Sequence, residues 1–81
     1  MDYMDFSKIR NIIKKYSNEK DFENTTSLQA LGIESIEYVQ MIIEAEDMFG
    51  IEIDDDALIL EEVTTVEAFI HVVENAINKK L

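Results

Sequence analysis

The chain has 81 residues, with 18 Asp and Glu against 7 Lys and Arg, a formal net charge of -11, one His and no Cys. Such a length gives one small domain, 1–81, with no room for an enzyme built around a deep cleft, and the composition excludes thiol catalysis, disulfides and Cys-based zinc sites. The charge repels nucleic acid and anionic membranes and calls for basic partners, while a 47% hydrophobic content in ordered spacing separates the chain from acidic disordered ones.

Phe6, Ile9, Ile12, Ile13 and Tyr16 recur at helical spacing. They predict a first helix over Asp5 to Tyr16, with Asp5 capping its first turn and Lys14 and Lys15 near its end. Ser17 to Glu34 is mostly polar, but Phe22, Leu28 and Leu31 can anchor it, so a long ordered loop is expected. A second helix runs from Ser35 to Phe49 and stops at Gly50. Ile51 to Ile53 is a short strand-like string, and Asp54, Asp55 and Asp56 can cap a brief helix over Ala57 to Glu61. The last helix opens on a capping box of Thr64 with Glu67 and buries Val66, Phe69, Ile70, Val73, Ala76 and Ile77.

The fold class expected is all-α, a small antiparallel four-helix bundle with three main helices, one short third helix and a long loop between helices one and two. No run of residues is long and apolar enough for a membrane span, and the first residues lack the pattern of a secretory leader. A cytoplasmic monomer without integral membrane contact is therefore expected.

The second helix carries two apolar groups. At 100 degrees per residue Tyr38, Met41, Ile42, Ala45 and Phe49 share one arc, the expected core stripe. Ile36, Val39 and Ile43 form another, roughly 100 to 160 degrees from Tyr38, beside Glu37, Gln40, Glu44, Glu46 and Asp47. Periodicity alone allows a helix buried on two sides. It also allows a docking patch, in which carboxylates steer a basic partner and apolar contact holds it. Ser35 stands at the amino end of that face.

With these residues in view the sequence resembles the acyl carrier protein and peptidyl carrier protein family. Leu31-Gly32-Ile33-Glu34-Ser35-Ile36 looks like the family's attachment motif of leucine, glycine, any residue, aspartate, serine and leucine. Glu44 to Ile53 looks like the end of its second helix and the turn beyond, and Val63 to Val66 like the approach to its last helix. The resemblance implies a non-catalytic carrier whose Ser35 bears 4'-phosphopantetheine, with acyl, polyketide or aminoacyl cargo held as a thioester. The partners implied are a phosphopantetheinyl transferase and loading, condensing and transfer enzymes with basic docking patches. They would meet Glu34, Ile36, Glu37, Val39, Ile43, Glu44, Glu46 and Asp47. A rival class is an acidic helical adaptor that binds a basic partner and carries nothing.

Two departures stand out against that family. Glu34 replaces the usual aspartate, whose shorter side chain caps better, so transferase recognition is expected to change. The segment Asp54 to Glu62 lacks the family's proline, is about two residues longer than usual, and is unusually apolar at Leu58, Ile59 and Leu60, which is expected to remodel the third helix. Other chemistry finds little support. Ser35 and His71 lack the strand-to-helix turn of a hydrolytic nucleophile, and His71 is expected on or beside the packed face of the last helix. Glu52, Asp54 and Asp56 mimic alternate calcium ligands, but the loop glycine is missing and Val63 stands at the twelfth position, so no metal site is expected.

Overall fold

A computed structural model describes residues 6–54 and 63–80. Helix α1 spans Phe6–Tyr16, a 3-10 turn spans Gln29–Leu31, α2 spans Ser35–Phe49 and α3 spans Val66–Lys80. The described chain is thus all-α, with a long loop between α1 and α2. The Asp5 cap, the Phe6 side chain, the brief helix over 57–61 and the consequences of the longer 54–62 segment lie outside the described residues.

In α1, Ile9, Ile12 and Ile13 are three and four positions apart and so share one side of the helix, where all three are completely buried. Lys14 and Lys15 occupy its last turn, where positive charge complements the free carbonyls. In α2 the expected stripe is largely observed: Tyr38, Met41, Ile42 and Ala45 are buried and Phe49 is packed at the margin. Tyr38 meets Phe69 of α3 edge to face, with ring centroids 6.1 Å apart and planes at 73°. Burial drives the Tyr38 hydroxyl pKa strongly upward.

The long loop is ordered by burial and by bonds to α3. Leu28, Leu31 and Ile33 are almost completely buried, each contributing roughly 1.5–3 kcal/mol of apolar transfer. Phe22 packs beside the core, and the Arg10 guanidinium lies 4.6 Å from its ring centre while donating to the Phe22 carbonyl at 2.7 Å and to Asn24. Leu28 N–H donates to Thr64 O, Val66 N–H to Thr26 O and Glu67 N–H to Asn24 O. An isolated antiparallel bridge joins Ser27 to Thr65.

Two local expectations need correcting. The cap of α3 is Thr65, not Thr64: Thr65 Oγ1 accepts from Ala68 N–H at 3.1 Å, while Thr64 O is taken by Leu28. A box with Glu67 is therefore replaced by a single side-chain cap, because the bridge to Ser27 delays the helix by one residue. Ile51 to Ile53 is not a strand. Ile51 and Ile53 are buried, and their N–H groups bond to Glu46, the former to its backbone carbonyl and the latter to its carboxylate at 2.9 Å. The stretch reads as strand-like because it alternates apolar and acidic residues, but it has a helix end to bond to and no partner strand among the described residues.

Candidate functional site

Ser35 is exposed as the first residue of α2. The approach to it is tightly built. Gly32 sits at φ 80, a left-handed conformation, and a Cβ there would come within 2.8 Å of Asn18 Nδ2. Asn18 in turn ties the turn to the end of α1, its N–H donating to Leu31 O at 2.9 Å. Ile33 is fully buried and bonds back to Leu28 O. The chain therefore dips into the core at Ile33 and is back at the surface from Glu34, just ahead of Ser35.

Glu34 takes the N-cap position in an extended conformation and forms a capping box with Glu37, whose Oε1 accepts from Glu34 N–H at 2.9 Å. The longer acidic side chain thus does the capping work that a shorter aspartate would do. Tyr38 N–H makes the first backbone bond of the helix, to Glu34 O, so the amides of Ser35 and Ile36 have no helical acceptor.

From Ser35 an apolar stripe runs along the open side of α2. Ile36 is 73% exposed, Val39 38% and Ile43 53%, which decides for an open face over a second buried side. Met48, 47% exposed, was not singled out by periodicity. It lies about 120 degrees around the helix from Ile36 and does not continue the stripe.

The carboxylates around the stripe differ in how committed they are. Glu37 is occupied by the capping box and Glu46 by Ile53. Glu44 Oε1 accepts from Tyr16 Oη at 3.0 Å and from Lys15 Nζ at 3.2 Å. Asp47 is exposed and makes no side-chain hydrogen bond or ion pair among the described residues. Burial first, then the bond and charge of Glu44, raise the Tyr16 pKa above its usual 10.0, so the hydroxyl remains a donor. The sequence reading grouped Glu44 and Asp47 on α2 but missed that α1 supplies Lys15 and Tyr16 to the same place. Only the i to i+28 packing of the two helices reveals it.

His71 is exposed and not packed, contrary to the structural role expected for it. With Arg10, Asn24, Glu67, Ile70 and Glu74 it borders a separate surface hollow. Of the residues weighed for calcium, Glu52 and Asp54 are exposed and Asp54 pairs with Lys79 at 3.0 Å; Asp56 lies outside the described residues. Among the described residues no group of three or more His, Cys, Asp or Glu gathers to hold a metal ion, and no helix is long and apolar enough to cross a membrane.

A family model described as a phosphopantetheine attachment site matches residues 7–73, from within α1 to within α3. The chain belongs to this family. It is a carrier protein with a phosphopantetheine attachment site, in a family that is non-catalytic. The carrier is 39% identical over 64 residues to an acyl carrier protein of Lactobacillus acidophilus, covering 75% of this chain and 78% of the relative. It is 37% identical over 76 residues to an acyl carrier protein of Buchnera aphidicola subsp. Schizaphis graminum, covering 90% and 92%. Membership implies that the carrier interacts with a phosphopantetheinyl transferase and with biosynthetic enzymes. The start of α2 suits a large anionic substituent: an exposed hydroxyl, two amides without helical acceptors and open solvent on the stripe side.

Proposed function

We propose that Ser35 is the residue bearing 4'-phosphopantetheine, and that the chain is an acyl carrier protein, residues 1–81 forming one carrier domain that works in the cytoplasm. Its cargo is an acyl, polyketide or aminoacyl group, delivered to loading, condensing and transfer enzymes. The observation that carries this reading is an exposed serine at the first position of α2, heading an open apolar stripe of Ile36, Val39 and Ile43. When bound, the group supplies the thiol that this cysteine-free chain lacks, and that thiol holds the cargo as a thioester.

The chain's own residues have modest tasks. Ser35 Oγ would bond to the pantetheine-side phosphorus of coenzyme A as the pyrophosphate P–O bond breaks and adenosine 3',5'-bisphosphate leaves, and its proton would pass to the transferase, so nothing beside it needs to act as a base. The nearby amides of Ser35 and Ile36 favour the resulting phosphodiester charge. Glu34 and Glu37 fix the helix start that presents the hydroxyl. Ile36, Val39 and Ile43 give a partner apolar contact, and Asp47, with the less available Glu44, Glu46, Glu37 and Glu34, draws basic surfaces toward it.

Incubation with coenzyme A and a broad-specificity phosphopantetheinyl transferase should raise the intact mass by one phosphopantetheinyl group. Ser35→Ala should abolish the gain while keeping the helical circular-dichroism spectrum. A wild-type chain left unmodified under conditions that convert a control carrier overturns the reading, as does a Ser35→Ala chain that is still modified.

A further inference from the structure

The turn that leads to Ser35 is held at its start by a residue from the far side of the loop. The first amides of a helical turn find no acceptor within it, and the 3-10 turn Gln29–Leu31 is too short to tolerate much fraying. Ser27 supplies the acceptor: its Oγ takes the Gln29 N–H at 3.1 Å and the Ala30 N–H at 3.4 Å. Leu28 O then accepts from Leu31 N–H at 3.0 Å and from Ile33 N–H at 3.1 Å, which carries the hold to two residues before Ser35. Ser27 is itself fixed by α3. It stands opposite Thr65 in the isolated bridge, and the two backbone bonds of that bridge flank it, Leu28 N–H to Thr64 O at 2.8 Å and Val66 N–H to Thr26 O at 3.0 Å. Each bridged residue thus caps a different element with its hydroxyl: Thr65 caps α3, and Ser27 caps the turn that enters α2.

We propose that Ser27 is a positioning residue for Ser35, setting the pose in which the hydroxyl meets a phosphopantetheinyl transferase by fixing the entry turn of α2 to the start of α3. The proposal rests on reading Ser35 as the attachment site, and it assigns part of that site's geometry to a residue outside the attachment motif. The anchor is firm, because Leu28 and Val66 on either side of the bridge are completely buried. The turn it holds is not, because Gln29 and Ala30 are exposed. Without the Ser27 hydroxyl, water can satisfy those two amides, so the fold survives, but the turn is left with only its own short ladder. Its looseness then passes through Leu28 O to Ile33 and on to the first residue of α2. The side chains of α2 that a transferase would grip are unchanged by this, so docking is kept. What is lost is the fraction of docked chains whose hydroxyl stands in line for transfer, and that loss falls on kcat rather than KM.

The test compares the wild type with Ser27→Ala and Ser27→Thr by two measurements on the full chain. Hydrogen exchange followed by NMR should show the amides of Leu31, Gly32 and Ile33 about three- to tenfold faster in Ser27→Ala, the effect of releasing roughly one hydrogen bond. The amides of Met41 and Phe69, within α2 and α3, should exchange as in the wild type. Steady-state transfer from coenzyme A by the broad-specificity transferase, with the carrier as varied substrate, should show kcat about threefold or more lower in Ser27→Ala and KM within about twofold. Ser27→Thr keeps an acceptor hydroxyl and should restore both readings. Unchanged exchange in the turn, a released turn with full kcat, a loss confined to KM, equal acceleration at Met41 and Phe69, or no rescue by threonine would each overturn the proposal. Exchange is read on chains that carry no group, and Ser35→Ala should keep the wild-type pattern, so failure here is distinct from failure of the mass shift.

Discussion

At the scale of single residues, the presentation of Ser35 depends on a glycine three positions before it. Gly32 is constrained twice over, by a positive φ and by Asn18 standing where a side chain would begin. An L-residue in the left-handed region costs roughly 1–2 kcal/mol, before any displacement of Asn18 is counted. Gly32→Ala should therefore lower the stability measured by urea denaturation by about that amount or more. If stability were unchanged, the turn would not hold the conformation described. Gly32 was legible in the sequence as a turn residue ahead of a helix, but its reason was not, because Asn18 lies fourteen positions upstream. The acidic residues teach the same lesson. Sequence spacing grouped Glu37, Glu44, Glu46 and Asp47 as one rim, whereas three of them are occupied within the fold and Asp47 is not. A charge reversal at Glu37 or Glu46 would disturb a cap or the Ile53 bond as well as the proposed docking surface. Asp47 is the cleaner probe.

At the scale of elements, helical periodicity served well because each helix buries one stripe. The bounds of α2, Ser35–Phe49, follow from a capping pair at one end and Gly50 at φ 63 just past the other, both local signals. Failures came where a distant segment decided the outcome. Two successive threonines offer equally good caps for α3, and the bridge from Ser27 selects the second. Thr65→Ala should accordingly cost about 1 kcal/mol, the usual worth of an N-cap, and Thr64→Ala clearly less. Thermal denaturation of the two variants measures the difference, and the reverse order would restore the Thr64 box. The open stripe of α2 shows a second kind of limit. Periodicity located Ile36, Val39 and Ile43 but could not say whether a neighbour covers them, which depends on where α1 and α3 pack.

At the scale of the whole molecule, acidity and tyrosine burial set its response to pH. Tyr16 and Tyr38 both have pKa values raised above 10.0 in the fold, chiefly by burial. Below pH 10 both are protonated whether the chain is folded or not, so their contribution to stability is fully present. Above it the unfolded chain loses these protons first, and stability falls as pH rises. Urea midpoints measured from pH 8 to 11 should hold up to about pH 10 and then decline, and Tyr38→Phe should soften the decline. A wild-type midpoint flat to pH 11 would contradict the burial of Tyr38. The far end of the molecule has a practical bearing. Lys80 Nζ donates to Gly50 O and Lys79 pairs with Asp54, so α3 finishes against the finish of α2. Fifteen helical residues separate that junction from Ser35, about 22 Å at 1.5 Å per residue. A fluorophore or surface tether attached through the Lys80 side chain would thus sit at the opposite pole of α2 from Ser35, and immobilised protein would keep the proposed attachment serine away from the support.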